Sequence, residues 1–269
     1  MGTTCKVASI SRFMTTSRKV LTTWAALMYA FLYLPILTLI IFSFNNSRIG
    51  VVWKGFTLDW YRKLLQDTSI MAALENSLII AAATTVIATI MGTMAALAMH
   101  KYHFRGQLAW NSLVYMPVII PEIVMGVSLL SFFAFLKIAL GIGTITIAHI
   151  AFCISFVIIV VRARLHGFDK SLEEASMDLG ANRYQTFFHV TLPLIAPGII
   201  SAALLCFTLS IDDFVITFFT QGPNSTTLPV KIYSMVKFGV TPIINAISTL
   251  FLIVTALAVV LLMKLGKEG

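Results

Sequence analysis

Long apolar runs separated by short polar loops are the feature that most restricts how this sequence can fold. Each of six runs has roughly the length that a helix needs to cross a bilayer, about 20 residues. Of the 269 residues, 58% are apolar and only 11% are charged, against roughly 25% charged in an ordinary soluble domain. The sequence therefore predicts an all-α membrane protein with six transmembrane helices. The runs cover residues 20-42, 78-99, 108-136, 144-161, 194-219 and 243-263.

The distribution of basic residues predicts how these spans are oriented. With six spans, both termini and the loops that follow even-numbered spans lie on one side. That side carries 12 Lys and Arg residues and the other carries 7. Because basic residues concentrate in cytoplasmic loops, both termini and the loop at 168-193 are predicted to be cytoplasmic. The first run is too long for a signal-peptide core, so it is expected to stay as an uncleaved span, and residues 1-269 are expected to form a single membrane domain.

Charge and cysteine content exclude several classes of protein. The formal charge of +8 comes from basic residues that border apolar runs, where they serve as topology signals facing anionic lipid headgroups rather than nucleic acid. Cys5, Cys153 and Cys206 are too widely spaced to indicate a disulfide framework or a metal knuckle. They are most simply small packing residues.

Nucleotide, metal and catalytic sites are not indicated either. The nearest match to a phosphate-binding loop, at 50-57, has Phe56 where the lysine belongs. His100 and His103 lie among basic residues in a short loop, which explains them better than a metal does. His149, inside the fourth run, is interpreted as a packed, hydrogen-bonded histidine. We find no set of nucleophile, base and orienting acid, so neither catalysis nor a bound cofactor is expected.

The polar segment between the first two runs carries interfacial aromatic residues. Trp53, Trp60 and Tyr61 are residue types that favour the membrane surface. Residues 58-65 have the pattern of a short interfacial helix, but we favour a solvated loop with aromatic anchors.

Three acidic residues inside the runs are candidates for a substrate pathway. Glu122, Asp212 and Asp213 would each cost roughly 2.5 to 3.5 kcal/mol at mid-bilayer, so they should face a cavity or a partner. Pro117 and Pro121 are expected to interrupt the third helix beside Glu122. On a continuous helix the two aspartates point about 100 degrees apart, so one is expected to face the pathway while the other bonds at an interface. The alternative that all three are structural hydrogen-bonding groups stays open.

Negative charge without a cationic partner in the spans suits a cationic ligand. Aromatic side chains near the aspartates can add cation–π contacts, which strengthens this interpretation. These aromatic residues are Phe207, Phe214, Phe218 and Phe219, of which Phe214 is taken as a pathway residue.

The loop at 168-193 has strong helix start and stop signals. Ser171 and Glu174 have the spacing of a capping box, and Gly180 supplies a left-handed stop. Asn182 is expected to cap a second short helix that runs towards Pro193. The first helix then has one apolar face, which could contact a partner. The alternative is that the loop is only a well-capped connector between two spans. The apolar face consists of Phe168, Leu172, Ala175 and Leu179.

This loop also resembles a known family signature. Residues Glu174-Ala-Ser-Met-Asp-Leu-Gly180, followed after nine residues by Val190-Thr-Leu-Pro193, are similar to the E-A-A, three, Gly, nine, I-x-L-P signature of permease subunits of ABC importers. Ser176 replaces the second Ala, and Val190 replaces Ile.

Further stretches resemble the permeases of spermidine/putrescine ABC importers. One departure is Ile243, where such permeases are expected to carry an acidic residue. The similar stretches are Ser43-Phe-Asn-Asn-Ser-Arg48, Trp53-Lys-Gly-Phe-Thr57, Phe207-Thr-Leu-Ser-Ile-Asp-Asp213, Gly222-Pro223, Thr227-Leu-Pro229, Lys231-Ile-Tyr-Ser-Met-Val-Lys237 and Asn245-Ala246.

The resemblance implies a type I (MetI-like) importer permease in a bacterial inner membrane. It implies a heterodimer with a second permease subunit. It also implies two ATPase subunits that bind ATP and Mg, and a periplasmic or extracellular polyamine-binding protein. The first helix of the loop at 168-193 would be the coupling helix seated in a groove of the ATPase. Its implied coupling residues are Leu172, Glu173, Glu174, Ala175, Asp178, Leu179 and Gly180.

Three alternatives remain at the sequence level. The first is an ABC permease for a solute other than spermidine or putrescine, because the signature is the same whatever the solute. A secondary transporter or channel working alone is the second, although no inverted repeat is visible. An intramembrane enzyme is the most distant.

Overall fold

A computed structural model describes residues 3–47, 52–102, 105–237 and 241–265. These residues are helical apart from turns and one isolated bridge between Asn45 and Phe56, so the all-α prediction is confirmed. Arg48, Gly50 and His103, which the sequence interpretation used, lie outside the described residues. The helices are α1 (Thr3–Phe42), α2 (Asp59–Gln66), α3 (Thr68–Lys101), α4 (Gln107–Ile119), α5 (Glu122–Phe135), α6 (Ile142–Leu165), α7 (Ser171–Asp178), α8 (Arg183–Thr186), a π-helix (Phe187–Thr191), α9 (Leu192–Ile211), α10 (Val215–Thr220), α11 (Leu228–Lys237) and α12 (Pro242–Leu265).

The described part of the chain contains five helical segments long and apolar enough to cross a membrane, or six if the bent pair α4 and α5 counts as one span. The predicted number of spans is therefore confirmed at this level. The five segments are Lys19–Phe42, Thr68–Lys101, Ile142–Leu165, Arg183–Ile211 and Pro242–Val260.

Most helices extend beyond the apolar runs that predicted them. Hydropathy marks only the part of a helix suited to the hydrocarbon, whereas polar turns continue where a cap supports them. At α3 that cap is Asp67, whose Oδ1 accepts hydrogen bonds from the N–H groups of Ser69 at 2.9 Å and Ile70 at 3.2 Å. The helices that contain these apolar runs are α1 for 20-42, α3 for 78-99, α6 for 144-161 and α12 for 243-263.

The third predicted span, 108-136, is not one straight helix. It consists of α4 and α5, which meet at a bend of 107°. The helix breaks at Pro121, as expected for a residue without an N–H, whereas Pro117 lies inside α4. Each half is roughly 20 Å long at about 1.5 Å per residue, shorter than the ~30 Å hydrocarbon core.

The fifth predicted span, 194-219, is also interrupted. Its helical segment begins earlier, at Arg183, and ends at Ile211. After a break at 212–214 the chain forms the separate short helix α10. The sequence has no proline or glycine at this break, so the interruption depends on side-chain contacts.

The chain divides into two compact units, Met1–Lys63 with Val240–Thr249 and Leu64–Gly239 with Leu250–Gly269. In the first unit, Asn45 organises the chain after α1 and is only 1% exposed. Its Nδ2 donates to the Val52 carbonyl at 2.8 Å, and its Oδ1 accepts from the Lys54 N–H at 2.8 Å. Its own carbonyl accepts from Trp60 Nε1 at 2.8 Å. Asn45 thus forms three hydrogen bonds with the following segment, two through its side-chain amide and one through its backbone carbonyl.

The favoured loop interpretation of residues 58-65 is wrong, because α2 covers most of this segment. The Leu58 carbonyl accepts hydrogen bonds from Tyr61 and Arg62 N–H groups, which starts the helix. Lys63 Nζ lies 4.7 Å from the centre of the Trp60 ring, a cation–π contact that joins the aromatic anchor to a charge on the same helix.

The second unit has its core where α3, α6 and α9 pack together. Small residues fill this contact and let the helix axes approach closely, as is usual between membrane helices. Cys153 and Cys206 are free, buried members of this core, in keeping with their interpretation as packing residues. The small buried residues are Ala88, Ala96, Ala148, Cys153, Ala202 and Cys206.

Gly92 marks the closest approach of α3 to α6. A Cβ at this position would lie 2.6 Å from Val157 Cγ1 and 3.2 Å from the Ile154 carbonyl oxygen. We expect Gly92→Ala to lower the free energy of unfolding by about 1–3 kcal/mol, because neither contact belongs to a flexible side chain that can move away. Unfolding of the purified protein in detergent measures this. Gly143→Ala on α6 is the control, since a Cβ there has nothing within 4 Å, and equal losses in both variants would contradict the close packing.

Candidate functional site

The break between α9 and α10 places Asp212 and Asp213 in different surroundings. Asp212 ends α9 with φ −99° and ψ 0°, and its side chain is exposed. Asp213 is only 9% exposed. The expectation that the two carboxylates point about 100 degrees apart on a continuous helix is therefore wrong, because the helix does not continue through them.

Asp213 holds the start of α10. Its Oδ1 accepts hydrogen bonds from the Thr217 N–H at 2.8 Å and from Thr217 Oγ1 at 3.0 Å. Helix N-termini leave N–H groups without intrahelical partners, and a carboxylate is a strong acceptor for them. The side chain thus replaces backbone hydrogen bonds that the interruption removes, and this explains the break.

His149 of α6 completes a buried hydrogen-bond network around Asp213. Its ring is 2% exposed, with Nδ1 2.8 Å from Ser210 Oγ and Nε2 2.9 Å from Thr217 Oγ1. The Asp213 Oδ1 atom lies 3.3 Å from the same Nε2. Because Thr217 donates its hydroxyl to Asp213, its oxygen is left to accept from His149 Nε2, and Ser210 bonds the other ring nitrogen.

This network confirms that His149 is a packed, hydrogen-bonded histidine. Sequence reasoning missed its partners, Ser210 and Thr217, because a serine or threonine in an apolar run carries no sign of what it bonds. We refer to His149, Ser210, Asp213 and Thr217 as the buried polar network.

Phe214, two residues after Asp212 in the chain, is in contact with further aromatic rings. The centre of the Phe214 ring is 4.6 Å from that of Tyr233 and 5.6 Å from that of Phe218. Tyr233 and Phe218 are half exposed, at 51% and 46%. Tyr233 was not among the predicted aromatics, while Phe207 lies earlier, in α9, outside the ring contacts found among the described residues.

Glu122 approaches the same region from α5. A Cβ on Gly126 of α5 would lie 2.8 Å from the Phe219 ring, so α5 and α10 are in close contact. Glu122 is exposed in the first turn of α5, near enough to Asp212 for the two carboxylates to interact electrostatically. Neither forms an ion pair with a basic residue in the described ranges.

We refer to Glu122, Asp212, Phe214, Phe218 and Tyr233 as the acid–aromatic cluster. Two carboxylates without a basic partner repel each other, and a cation between them would relieve that repulsion. Exposed ring faces add cation–π attraction of about 0.5–2 kcal/mol. The arrangement is therefore chemically suited to an organic cation.

The loop at 168-193 forms a second candidate site, and its first helix is not capped as predicted. The Ser171 N–H donates to Asp169 Oδ1 at 2.9 Å, whereas Ser171 itself is already in the first turn of α7. The capping box at Ser171 and Glu174 is therefore wrong. Asp169 takes the capping role, and the hydrogen bond from Ser171 lowers the pKa of the Asp169 carboxyl below its ordinary value.

The other signals in this loop are confirmed. Gly180 has φ +92°, and the chain leaves α7 with hydrogen bonds from Gly180 N–H to the Met177 carbonyl and from Ala181 N–H to the Ser176 carbonyl. This is a Schellman ending, for which glycine is favoured. Asn182 and Gln185 form a reciprocal capping box with both hydrogen bonds at 2.9 Å.

Glu173 ties α7 to the rest of the second unit. Its Oε1 accepts a hydrogen bond from Thr191 Oγ1 at 2.6 Å, and its Oε2 lies 3.6 Å from Lys101 Nζ. Glu174 and Asp178 are exposed and make no such contact. Glu173 therefore fixes the position of α7, which leaves the other two acids at its outer surface.

An apolar groove accompanies the exposed side of α7. Its volume is about 610 Å³. Leu179, 90% exposed, is the most accessible apolar side chain on its wall. Contiguous exposed apolar surface of this kind is typical of a contact with a partner. The groove is lined by Leu172, Ala175, Leu179, Val190, Pro193 and Leu194.

Apolar helices of span length, a sharply bent helix pair and a capped loop between two spans define the fold of an ABC-importer permease subunit. A crystal structure of a bacterial ABC transporter involved in the import of the acidic polysaccharide alginate has this fold, with a TM-score of 0.74 at 17% identity. The match covers 96% of this chain and 99% of that chain.

The chain belongs to the family described as binding-protein-dependent transport system inner membrane component, whose model matches residues 87–266. It is 40% identical over 241 residues to the spermidine/putrescine transport system permease protein PotC of Escherichia coli strain K12, covering 90% of this chain and 91% of that protein. It is 45% identical over 231 residues to the putrescine transport system permease protein PotI of the same strain, covering 83% and 82%. The predicted resemblance is confirmed, and the chain is a multi-pass membrane transport subunit rather than an enzyme.

The different surroundings of the two aspartates give a direct test. We expect Asp213→Ala to lower the free energy of unfolding by about 1–3 kcal/mol, because it removes the acceptor to which the buried Thr217 N–H and hydroxyl both donate. Asp212→Ala, one residue away and exposed, is the control and should leave stability nearly unchanged. Thermal unfolding of both variants in detergent measures this, and equal stabilities would show that the buried polar network does not hold the break.

Proposed function

We propose that this chain is the permease subunit of an ATP-driven polyamine importer, in which it forms half of the translocation pathway. The observation that carries the proposal is the 40–45% identity over most of the chain to permeases named for spermidine and putrescine transport. Among solved structures, the same fold occurs in an importer of an acidic polysaccharide, so fold alone does not select the substrate. The acid–aromatic cluster supports a cationic one.

The substrate pathway is proposed to pass Glu122, Asp212 and Phe214. A protonated polyamine has ammonium groups separated by flexible methylene stems, so one end can sit between the carboxylates while another part lies on the rings. Asp213, predicted to belong to the pathway, instead has the surroundings of a positioning residue, since it is buried and holds α10. Its role in this proposal is to keep Asp212 at the end of α9.

The proposed assembly contains a second permease subunit, two ATPase subunits that bind ATP and Mg, and an external polyamine-binding protein. In this proposal the chain forms a single domain in a bacterial inner membrane with both termini cytoplasmic. The chain itself binds no cofactor. The excess of basic residues on the side of the loop at 168-193 supports this orientation.

The helix α7 is proposed to couple the permease to an ATPase. An amphipathic helix binds in a groove by burying its apolar side and leaving charged groups at the rim. Leu172, Ala175 and Leu179 supply the exposed apolar side, and Glu174 and Asp178 supply the rim charges. Glu173 contributes through its bonds to Thr191 and Lys101, which would transmit a displacement of α7 to the membrane spans.

A change at Asp212 tests the pathway. We expect Asp212→Asn to reduce ATP-dependent spermidine uptake by about ten- to a hundredfold at low substrate concentration, equivalent to the loss of one charge-assisted contact of about 1.5–3 kcal/mol. Uptake is measured with radiolabelled spermidine in proteoliposomes that contain the assembled importer.

Glu75→Gln is the matched control, because it removes one exposed carboxylate of α3 outside the acid–aromatic cluster. If Asp212→Asn and Glu75→Gln transport equally well, the pathway assignment is wrong. If the importer without substitutions couples ATP hydrolysis to the uptake of another solute and not of polyamines, the chain is still a permease but the proposed substrate is wrong.

A change at Gly180 tests the coupling role. Gly180→Arg should insert normally but lose ATP-driven uptake. The left-handed backbone costs a residue with a Cβ about 1–2 kcal/mol, and the long side chain stands where α7 would enter the ATPase groove. Uptake and ATP hydrolysis are measured together in the reconstituted complex.

Gly167→Arg serves as control, because a Cβ at Gly167 also has nothing within 4 Å while its φ is not positive. Full uptake by the Gly180 variant would contradict a coupling role for the end of α7.

A further inference from the structure

Two cavities adjoin at the base of α7, where it meets the end of α3. The first has a volume of about 400 Å³ and mainly apolar walls, which include Met94, Leu97, Leu165 and Phe168. The second, of about 430 Å³, has charged walls. Both are lined by Lys101, Tyr102, Lys170, Glu173, Phe187 and Thr191, so they form one space with an apolar and a charged half.

The charged half carries more basic than acidic side chains. Lys101, Lys170 and Arg183 line it together with two glutamates. Lys101 is paired with Glu173, whereas Lys170 and Arg183 form no ion pair among the residues that the structure describes. This half is therefore suited to an anion.

His100 provides an independent sign that a polar group belongs in this space. Its Nε2 is buried and has no hydrogen-bond partner within the described ranges, although the residue lines the apolar half of the space. Buried polar nitrogen atoms are nearly always hydrogen-bonded. A ligand with oxygen atoms near the junction of the two halves would satisfy it.

The position along α3 indicates how deep this space lies. The helix is apolar for most of its length and ends with His100 and Lys101, followed by the exposed Tyr102. Such an ending marks the boundary between hydrocarbon and headgroups. The charged half thus lies at headgroup level, and the apolar half lies on the hydrocarbon side of it.

We propose that this space binds one anionic phospholipid, with its phosphate among Lys101, Lys170 and Arg183 and part of an acyl chain in the apolar half. Basic pockets between membrane helices bind acidic lipid headgroups in this way. A free phosphate ion would satisfy the basic residues but leave the apolar half unfilled. A bound lipid would contact α3, α7 and the π-helix together, and so support the base of α7.

The experiment titrates the purified full-length protein, assembled with its partner subunits in detergent, with dioleoyl phosphatidylglycerol and with dioleoyl phosphatidylcholine. Native mass spectrometry measures the lipid retained. Phosphatidylglycerol should bind more tightly, and the double variant Lys170→Gln/Arg183→Gln should weaken its binding by about thirtyfold, while phosphatidylcholine binding stays the same. Equal retention of the two lipids by the unchanged protein would overturn the proposal.

Two further variants separate the site from general charge effects. Lys231→Gln/Lys237→Gln on α11 removes the same charge elsewhere and should leave phosphatidylglycerol binding intact. Ala98→Phe fills the apolar half without changing any charge, so it should also weaken phosphatidylglycerol binding. Retention of full affinity by Ala98→Phe, or displacement of the lipid by millimolar inorganic phosphate, would show a site for a soluble anion and overturn the lipid assignment.

Discussion

The hydrogen-bonding needs of the backbone are the constraint on which this structure depends. In hydrocarbon an unpaired N–H or carbonyl costs several kcal/mol, so a chain crosses the membrane as a helix and interrupts it only where something replaces the lost bonds. At Pro121 the N–H is missing from the outset. At 212–214 the replacement is Asp213, which accepts from Thr217 and is itself supported by His149. Both interruptions lie beside the candidate pathway.

These two interruptions show how much of the fold a sequence can predict. Pro121 acts locally and can be recognised wherever it stands, so the break in the third span was expected. The break after Ile211 depends on His149, which lies 61 residues before Ser210 in sequence and on a different helix. The composition of residues 194-219 by itself is that of a continuous helix, so it does not reveal the break. The count of spans followed from hydropathy, but their ends depended on caps such as Asp67.

The loop at 168-193 shows the same difference between local signals, which a sequence reveals, and contacts between distant residues, which it does not. Gly180 and Asn182 act on their immediate neighbours, so their pattern predicted the end of one helix and the start of the next. The pattern also suggested Ser171 as a cap, but the Ser171 N–H, which Glu174 would accept in a capping box, donates to Asp169 instead, and the Glu174 N–H bonds the Lys170 carbonyl. The bonds of Glu173 to Lys101 and Thr191 join distant parts of the chain, and no local signal reveals them.

One helical segment joins the two candidate sites. It begins at Arg183 in the loop and continues to Ile211 beside the acid–aromatic cluster, about 44 Å at 1.5 Å per residue. Its first turns contain the π-helix, which Thr191 connects to Glu173 of α7. In the proposed importer, a displacement of α7 by the ATPase would therefore act on one end of a continuous helical segment whose other end is followed by Asp212. Because Asp213 fixes the break through buried bonds, that movement would reposition the exposed carboxylate without reorganising the helix end.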